Sequence, residues 1–433
     1  MWTDSSVFYQ IYPLGAFGAP FENDGKTESR ILALQEYVPS LKELGVDAIL
    51  FNPLFESKTH GYDTTDYRKV DVRLGTNEDL KAMVDLLHEN GIKVIVDAVF
   101  NHVGRDFPPF VDLLQNREHS RYKDWFQVNF GGNNSYNDGL WYANWEGYDA
   151  LVKLNLQNPE VVQYILDTVT FWKNEFGIDG LRLDVAYCLD LNFLKALRHH
   201  AKSLDPDFFL LGETLHGDYN RWVNEEMLDS CTNYECYKGL YSALNSKNLF
   251  EIVHSLNRQF GPENWCLYTG KHLLNFVDNH DVERISSILN KKEYLPLIYT
   301  LLFGMPGIPC IYYGSEWGIE GKKNHNDTSL RPHIEKLESN ELTEFIKKLI
   351  EIKHEYTCLH NGNYRPAFLQ NETAVIERSD NQATLWFAVN LKEEPVMIHQ
   401  LAGGVLQDLI EDKTVDRSNG LLMEPLSAKV FKV

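Results

Sequence analysis

Apolar runs that end in acid or imidazole side chains recur along this chain, separated by stretches of helical period. Eight runs read as strands: 7–13, 47–53, 93–99, 181–186, 208–213, 228–234, 273–278 and 310–314. Most are near-continuously hydrophobic rather than alternating, the pattern of a strand covered on both faces. Between several of them lie amphipathic stretches at 31–44, 78–90, 162–176 and 192–203. In 78–90, Leu80, Met83, Val84, Leu86 and Leu87 share one helical face, and Gly91 follows where a C-cap belongs. Strand followed by helix, eight times over, predicts an α/β fold, a closed parallel (β/α)8 TIM barrel rather than an open doubly wound sheet. No Gly-x-Gly-x-x-Gly follows any strand, which removes the dinucleotide-binding alternative.

The alternation is interrupted once and then ends. Between the third strand and the helix before the fourth, the chain is rich in Asn, Gly and aromatics, including Trp125, Phe126, Trp141, Tyr142, Trp145 and Tyr148. A connection this long is functional or disordered, and its aromatic content argues for a folded piece over the barrel mouth. Beyond Tyr356 the runs become short and are separated by polar turns, at 373–376, 383–390, 396–400, 404–408 and 428–433. These predict an antiparallel β-sandwich. The expected division is a barrel at 1–102 and 160–355, an inserted subdomain at 103–159, and a C-terminal sandwich at 356–433.

Composition narrows the function classes. With 433 residues, 43% hydrophobic and 24% charged, the chain can bury a large core. Its formal net charge of -21 argues against a nucleic-acid partner. The most apolar stretch, 298–313, is broken by Gly304, Pro306, Gly307 and Pro309, so no membrane span is expected. The first six residues carry no basic or apolar leader pattern. Cys188, Cys231, Cys236, Cys266, Cys310 and Cys358 show no paired spacing. The expectation is a cytoplasmic protein with reduced thiols, in which the Asn-x-Ser/Thr triplets at Asn133, Asn326 and Asn371 are chance matches.

Four segments carry the chemistry: Asp97 to His102, Gly180 to Asp184, Gly212 to Thr214, and Phe276 to Asp281. A barrel gathers strand ends around one mouth, so Asp184, Glu213 and Asp281 can converge. Two carboxylates flanking a glycosidic bond are the minimum for glycoside hydrolysis. Arg182 lies one alternation before Asp184 on the same strand face, where it would keep that acid ionised and oriented. Glu213 follows the apolar run Phe208 to Leu211, so desolvation should raise its pKa, as a proton donor needs. Any one of these acids alone is as consistent with a structural loop cap.

Taken together the segments resemble, in order and spacing, the signature regions of glycoside hydrolase family thirteen, the α-amylase family. The stretches from His60 to Tyr67 and from Val152 to Pro159 match two further family segments. The resemblance implies that Asp184 is the nucleophile, Glu213 the general acid/base and Asp281 the third, transition-state-stabilising carboxylate. It further implies that Arg182, His102 and His280 contact the sugar site, that Tyr62 is a stacking platform, and that Asp97 is structural. Arg331, after Asp327, resembles a family arginine at remoter donor subsites.

Departures bear on specificity. Tyr187 and Cys188 stand where many α-amylases carry Lys-His, and Lys153 to Asn155 looks like the neopullulanase and cyclomaltodextrinase branch. The first strand begins within ten residues of the start, so that branch's extra N-terminal domain is not expected. Asn101 is one oxygen, whereas a hard cation needs six or more. No obligatory metal or other cofactor is expected, calcium being the candidate to test. The resulting expectation is a retaining hydrolase of α-1,4-glucan oligosaccharides. A glucanotransferase using the same intermediate, and a non-catalytic carbohydrate-binding barrel, are the alternatives.

Overall fold

The computed structural model describes residues 1–324 and 326–433. Eight strands form one parallel sheet: β1 (Phe8–Ile11), β2 (Ala48–Phe51), β3 (Lys93–Ala98), β4 (Gly180–Leu183), β5 (Phe209–Gly212), β6 (Ser230–Cys231), β7 (Leu274–Phe276) and β8 (Ile308–Tyr312). All eight overlap expected runs, β8 starting two residues early and β4 one. The sheet order is β6-β5-β4-β3-β2-β1-β8-β7, and a parallel bridge from Thr232 to Leu274 joins its two ends. The barrel is therefore closed, with Phe8, Leu50, Ile95, Leu211 and Phe276 among the side chains packed inside it.

The helical ring is less regular than the sequence suggests. Helices Leu34–Leu44, Asn77–Glu89, Pro159–Phe176 and Leu191–Leu204 occupy the expected stretches, the second closed by a Thr76–Asp79 capping box. Between β5 and β6, however, only a 3-10 turn at Tyr219–Arg221 is present, while two helices, Tyr234–Asn245 and Phe250–Phe260, follow β6. The strict eightfold alternation fails there because residues 215–229 carry Gly217, Asp218 and two asparagines but no 3.6-residue apolar stripe.

After β3 the strand His102–Gly104 pairs antiparallel with Tyr148–Lys153, which also pairs with Asn144–Trp145. Phe110, Trp125, Phe126 and Tyr142 from this region join the main core cluster, so these aromatics are structural. Beyond the helix Glu341–Glu355, six antiparallel strands form one sheet and Val396–Ile398 pairs with Leu421–Met423 in a second. Val375, Trp386, Ile398, Leu421 and Phe431 pack between the two layers as a separate core. Among the described residues, no helix is long and apolar enough to cross a membrane.

One buried acid links the barrel seam to pH. Glu316, just past β8, is buried and accepts a hydrogen bond from the Tyr9 hydroxyl at 2.6 Å, while its Oε2 has no partner. Burial pushes its carboxyl up to about 7. The folded state thus binds the proton more tightly than the unfolded one, and stability is lost as pH rises from about 4.5 to 7. Glu316→Gln should raise the melting temperature at pH 8 by the equivalent of up to about 3 kcal/mol. The difference should shrink towards pH 4.5, which paired thermal melts would show.

Candidate active site

The site is built from Arg182 outward. It projects from β4 and is buried, and its Nη1 donates to both Asp97 oxygens at 2.8 and 2.7 Å and to Asp184 Oδ1 at 3.1 Å. Its Nη2 pairs with Glu213 Oε1 at 3.0 Å. One guanidinium thereby holds acids from the ends of β3, β4 and β5 in register, a consequence of the parallel pairing Arg182–Asp97 and Arg182–Leu211. A planar fork with five donors is suited to this, whereas a lysine would serve one acid at a time.

Just after Asp184 the backbone is strained. Val185 has φ 41° and ψ 47°, a left-handed conformation that a β-branched residue rarely adopts and that costs about 1–3 kcal/mol. The turn aims the Val185 N–H at Glu213 Oε2, 2.9 Å away. Glu213 is thus fixed through both oxygens, and nothing in the local sequence marks Val185 for this conformation.

Burial raises the Glu213 carboxyl, as expected, with the Arg182 charge working against it. For Asp184 the expectation needs correcting. Arg182 does pull its carboxyl down, but burial outweighs that pull, and the charges of Glu213, Asp97 and Asp281 add to burial, so the group lies well above the usual carboxylate range. Both acids therefore hold a proton more tightly than an isolated carboxyl does.

Asp281 lies in the loop five residues beyond β7 rather than at the strand end, with its side chain 36% exposed. Burial pushes its carboxyl up, but the His280 ring, 2.9 Å from Oδ2, and the Arg331 guanidinium, 2.9 Å from Oδ1, hold it below the usual range. Arg331 also donates to the His280 carbonyl at 3.0 Å and lies 4.6 Å from the centre of the Tyr12 ring. This placement binds the two sides of the mouth together.

His280 is fully buried between the Tyr12 and Tyr62 rings, at 6.2 and 5.7 Å between centroids and nearly parallel to both. Gln10 Nε2 lies 2.9 Å from its Nδ1, so with the Gln10 amide donating, Nε2 carries the hydrogen, which the Tyr62 hydroxyl accepts, while Asp281 Oδ2 lies 2.9 Å from the same nitrogen. Gln10 donates as well to Asn52, and Asn52 and the Tyr62 hydroxyl both donate to Asp97 Oδ2. Sequence reasoning missed Gln10 and Asn52. Both lie on or just after apolar strands without a motif, and only the barrel interior shows their partners.

A cleft of about 620 Å³ opens above these groups, a volume suited to a small organic ligand. Asp184, Glu213 and Asp281 line it together with Tyr62, His102 and Arg331, whereas Arg182, Asp97 and His280 form a layer beneath. Burial pushes the His102 imidazole down to about 3, so it is neutral at working pH. With the Asn101 amide donating to Nδ1 at 3.1 Å, its Nε2–H is buried and unpartnered. Of the inserted region's aromatics, Trp145 and Tyr148 line the cleft as a stacked pair 5.8 Å apart, while Trp141 does not. Glu146 and Gly147, both at positive φ, make the tight turn between them.

The loop carrying Tyr62 is held from below by Arg73, a fully buried side chain that pairs with Asp71 at 2.7 Å and donates to the carbonyls of Pro20, Phe21 and Thr59. Arg284 pins the Arg331 segment through the carbonyls of Tyr313 and Leu330. Neither arginine stood out in the sequence.

For calcium the residues present do not fit. Asn101 Oδ1 is buried without a partner, but among the described residues no group of three His, Cys, Asp or Glu side chains surrounds it or any other point. Extensive chelation is expected to leave activity and melting temperature nearly unchanged, since only a metal that binds the native state adds stability. A large drop with EDTA, restored by calcium, would reveal a site built around Asn101.

A closed parallel barrel whose strand ends bring paired carboxylates into a polar, aromatic-flanked cleft defines a barrel hydrolase of the glycosidase type. The α-amylase catalytic-domain family matches residues 24–348, and the chain belongs to that family, in its neopullulanase and cyclomaltodextrinase-like branch. It is 30% identical over 466 residues to the maltogenic α-amylase of Bacillus acidopullulyticus, covering all of this chain and 77% of that protein. To neopullulanase 2 of Thermoactinomyces vulgaris it is 34% identical over 444 residues, covering 96% and 71%. The solved structure of a cyclomaltodextrinase superposes with a TM-score of 0.88 at 28% identity, covering all of this chain and 78% of that one.

Proposed function

We propose that this enzyme hydrolyses α-1,4-glucosidic bonds of short or cyclic maltooligosaccharides with retention, through a covalent glycosyl-enzyme. The observation that carries the reading is Arg182 spanning Asp184 and Glu213 with one guanidinium. Retaining enzymes set their two carboxyls about 5–5.5 Å apart so that one can attack directly, and inverting ones about 6.5–9.5 Å apart to admit a water. Membership of the α-amylase family supports the retaining arrangement. In this scheme Asp184 attacks the anomeric carbon while Glu213 protonates the leaving oxygen, and Glu213 then deprotonates the water that releases the sugar. The productive microstate of the pair places the proton on Glu213. Asp281, held ionised by His280 and Arg331, stabilises the positive charge developing on the sugar ring.

Tyr62 offers a ring face to the sugar in the subsite before the cleaved bond, and the free His102 Nε2–H donates to one of its hydroxyls. Arg331 and Asp327 line the same cleft and offer charged groups to the sugar. The substrate class follows from the relatives, whose names specify cyclomaltodextrinase, neopullulanase and maltogenic amylase activities. Six free thiols support a reducing, cytoplasmic setting.

A product profile across maltotriose, maltodextrin, cyclodextrin, pullulan and starch, with the first-formed anomer followed by NMR, tests the reading. Initial release of the α-anomer with preference for small or cyclic dextrins is expected. Initial β-anomer would refute retention. Longer oligosaccharides appearing before glucose and maltose from maltotriose would assign the enzyme to transfer.

A further inference from the structure

The inserted region reaches the cleft through one tight hairpin that breaks a local rule. Trp145 and Tyr148 pair across it, and its two central residues, Glu146 and Gly147, have φ of 47° and 89°. A two-residue hairpin with both centres in the left-handed region favours Asn, Asp or Gly at the first of them. A longer side chain brings the steric cost of its Cβ and no local hydrogen bond in return. Gly147 fits this rule and Glu146 does not. Residues held against local preference cluster at functional sites, so the exception points to a use for the carboxylate.

The hairpin is firmly held and its tip is open. Asn144 accepts from the Gly147 amide at 2.9 Å and donates to Asp149 at 2.7 Å, and Asp149 in turn accepts from the Ser135 amide. The Trp145 and Tyr148 rings stack 22° from parallel, and Tyr148 is 60% exposed. Glu146 is exposed and lines the cleft. Every other acid facing the cleft has a cation within 4.0 Å: Asp184 and Glu213 share Arg182, and Asp281 and Asp327 face Arg331. Among the described residues the Glu146 carboxylate has neither a cation nor a hydrogen-bond donor.

Its place in the cleft assigns the use. Tyr187 and Leu215 line the cleft from the loops that follow Asp184 and Glu213, and the His216 ring lies 6.2 Å from that of Tyr187. Burial, and then the acidic groups of Cys188, Glu213, Glu146 and Asp184, push the Tyr187 hydroxyl up, so Glu146 shares this wall with the two catalytic acids. With Glu213 as proton donor, the departing sugar lies along the same wall, while the sugar before the cleaved bond rests by Tyr62 and His102. We propose that Glu146 is a specificity determinant for the departing sugar, its carboxylate accepting charge-assisted hydrogen bonds from two neighbouring hydroxyls. This assignment rests on the roles given above to Asp184 and Glu213.

Kinetics on paired substrates test it. Maltotriose places a sugar on the leaving side, whereas α-maltosyl fluoride loses only fluoride. Glu146→Gln keeps the shape and removes the charge, and should lower kcat/KM about tenfold on maltotriose but less than about twofold on the fluoride. Glu146→Asn suits the turn better, so it should lose maltotriose activity similarly while melting at or above the native temperature. Equal losses on both substrates, or no loss on maltotriose, overturn the proposal. A melting temperature clearly lowered in Glu146→Asn does so too, since Glu146 would then serve the fold. Fluoride release by the native enzyme establishes the two acids without any departing sugar. A native enzyme inert on the fluoride would refute their roles, and this assignment with them.

Discussion

Asp184→Asn should abolish turnover and covalent labelling on every substrate, including activated glycosyl fluorides. The amide has nearly the same shape but no nucleophilic carboxylate, and among the described residues lining the cleft no other acid occupies its position. The expected loss in kcat is about 10⁴-fold or more, equivalent to at least about 5 kcal/mol of barrier. The fold should survive, because Arg182 retains Asp97 and Glu213 as partners. Trapping a glycosyl-enzyme in this variant, seen as a mass increment on the intact protein, would refute the assignment.

Glu213→Gln should separate the second role from the first. Removing a general acid typically costs 10²–10⁴-fold, so maltooligosaccharides, whose leaving group needs a proton, should slow by about that factor. Glycosyl fluorides need little protonation and should still form the intermediate at a much higher relative rate. The alkaline limb of the pH–rate profile should also disappear on substrates that still react, since in the native enzyme it reports loss of the Glu213 proton. In Glu213→Ala, azide should partly rescue the second step with an activated substrate. Attack on the β-linked intermediate from its open face gives an α-glycosyl azide. Recovery of the β-azide would reverse the mechanism.

The positions of these acids are legible in the sequence, and the reason is periodicity. A strand buried on both faces keeps acids out of its interior unless a cation pairs with them, as Arg182 does with Asp97, so the apolar runs ending in Asp184 and Glu213 announce both the strand and the point where it meets solvent. The eight strands, four of the helices and the change to antiparallel structure beyond Tyr356 follow from local pattern in the same way. Where the pattern is weak the reading failed. The segment after β5 has no apolar stripe and makes no α-helix, and the strands Asn363–Leu369, Lys413–Asp416 and Leu421–Met423 are too polar or too short to stand out.

The order of these acids along the chain, and the barrel that assembles them, were therefore determined by sequence alone. Their charge states were not. Arg182 next to Asp184 suggested a carboxylate kept ionised, but that inference used one neighbour. Burial depends on every element packed around the site, and it exceeds the attraction of the adjacent guanidinium. The supports are likewise tertiary: Gln10 and Asn52 under His280, Arg73 under the Tyr62 loop, and the strained turn at Val185 aiming an amide at Glu213. Each partner comes from a distant part of the chain or from a backbone angle, and neither leaves a local signature. Pattern can specify which side chains reach the mouth, because it reports the alternation of a strand with solvent. Only the folded barrel sets how each is held and protonated, because hydrogen bonds and desolvation are properties of what closes around a group.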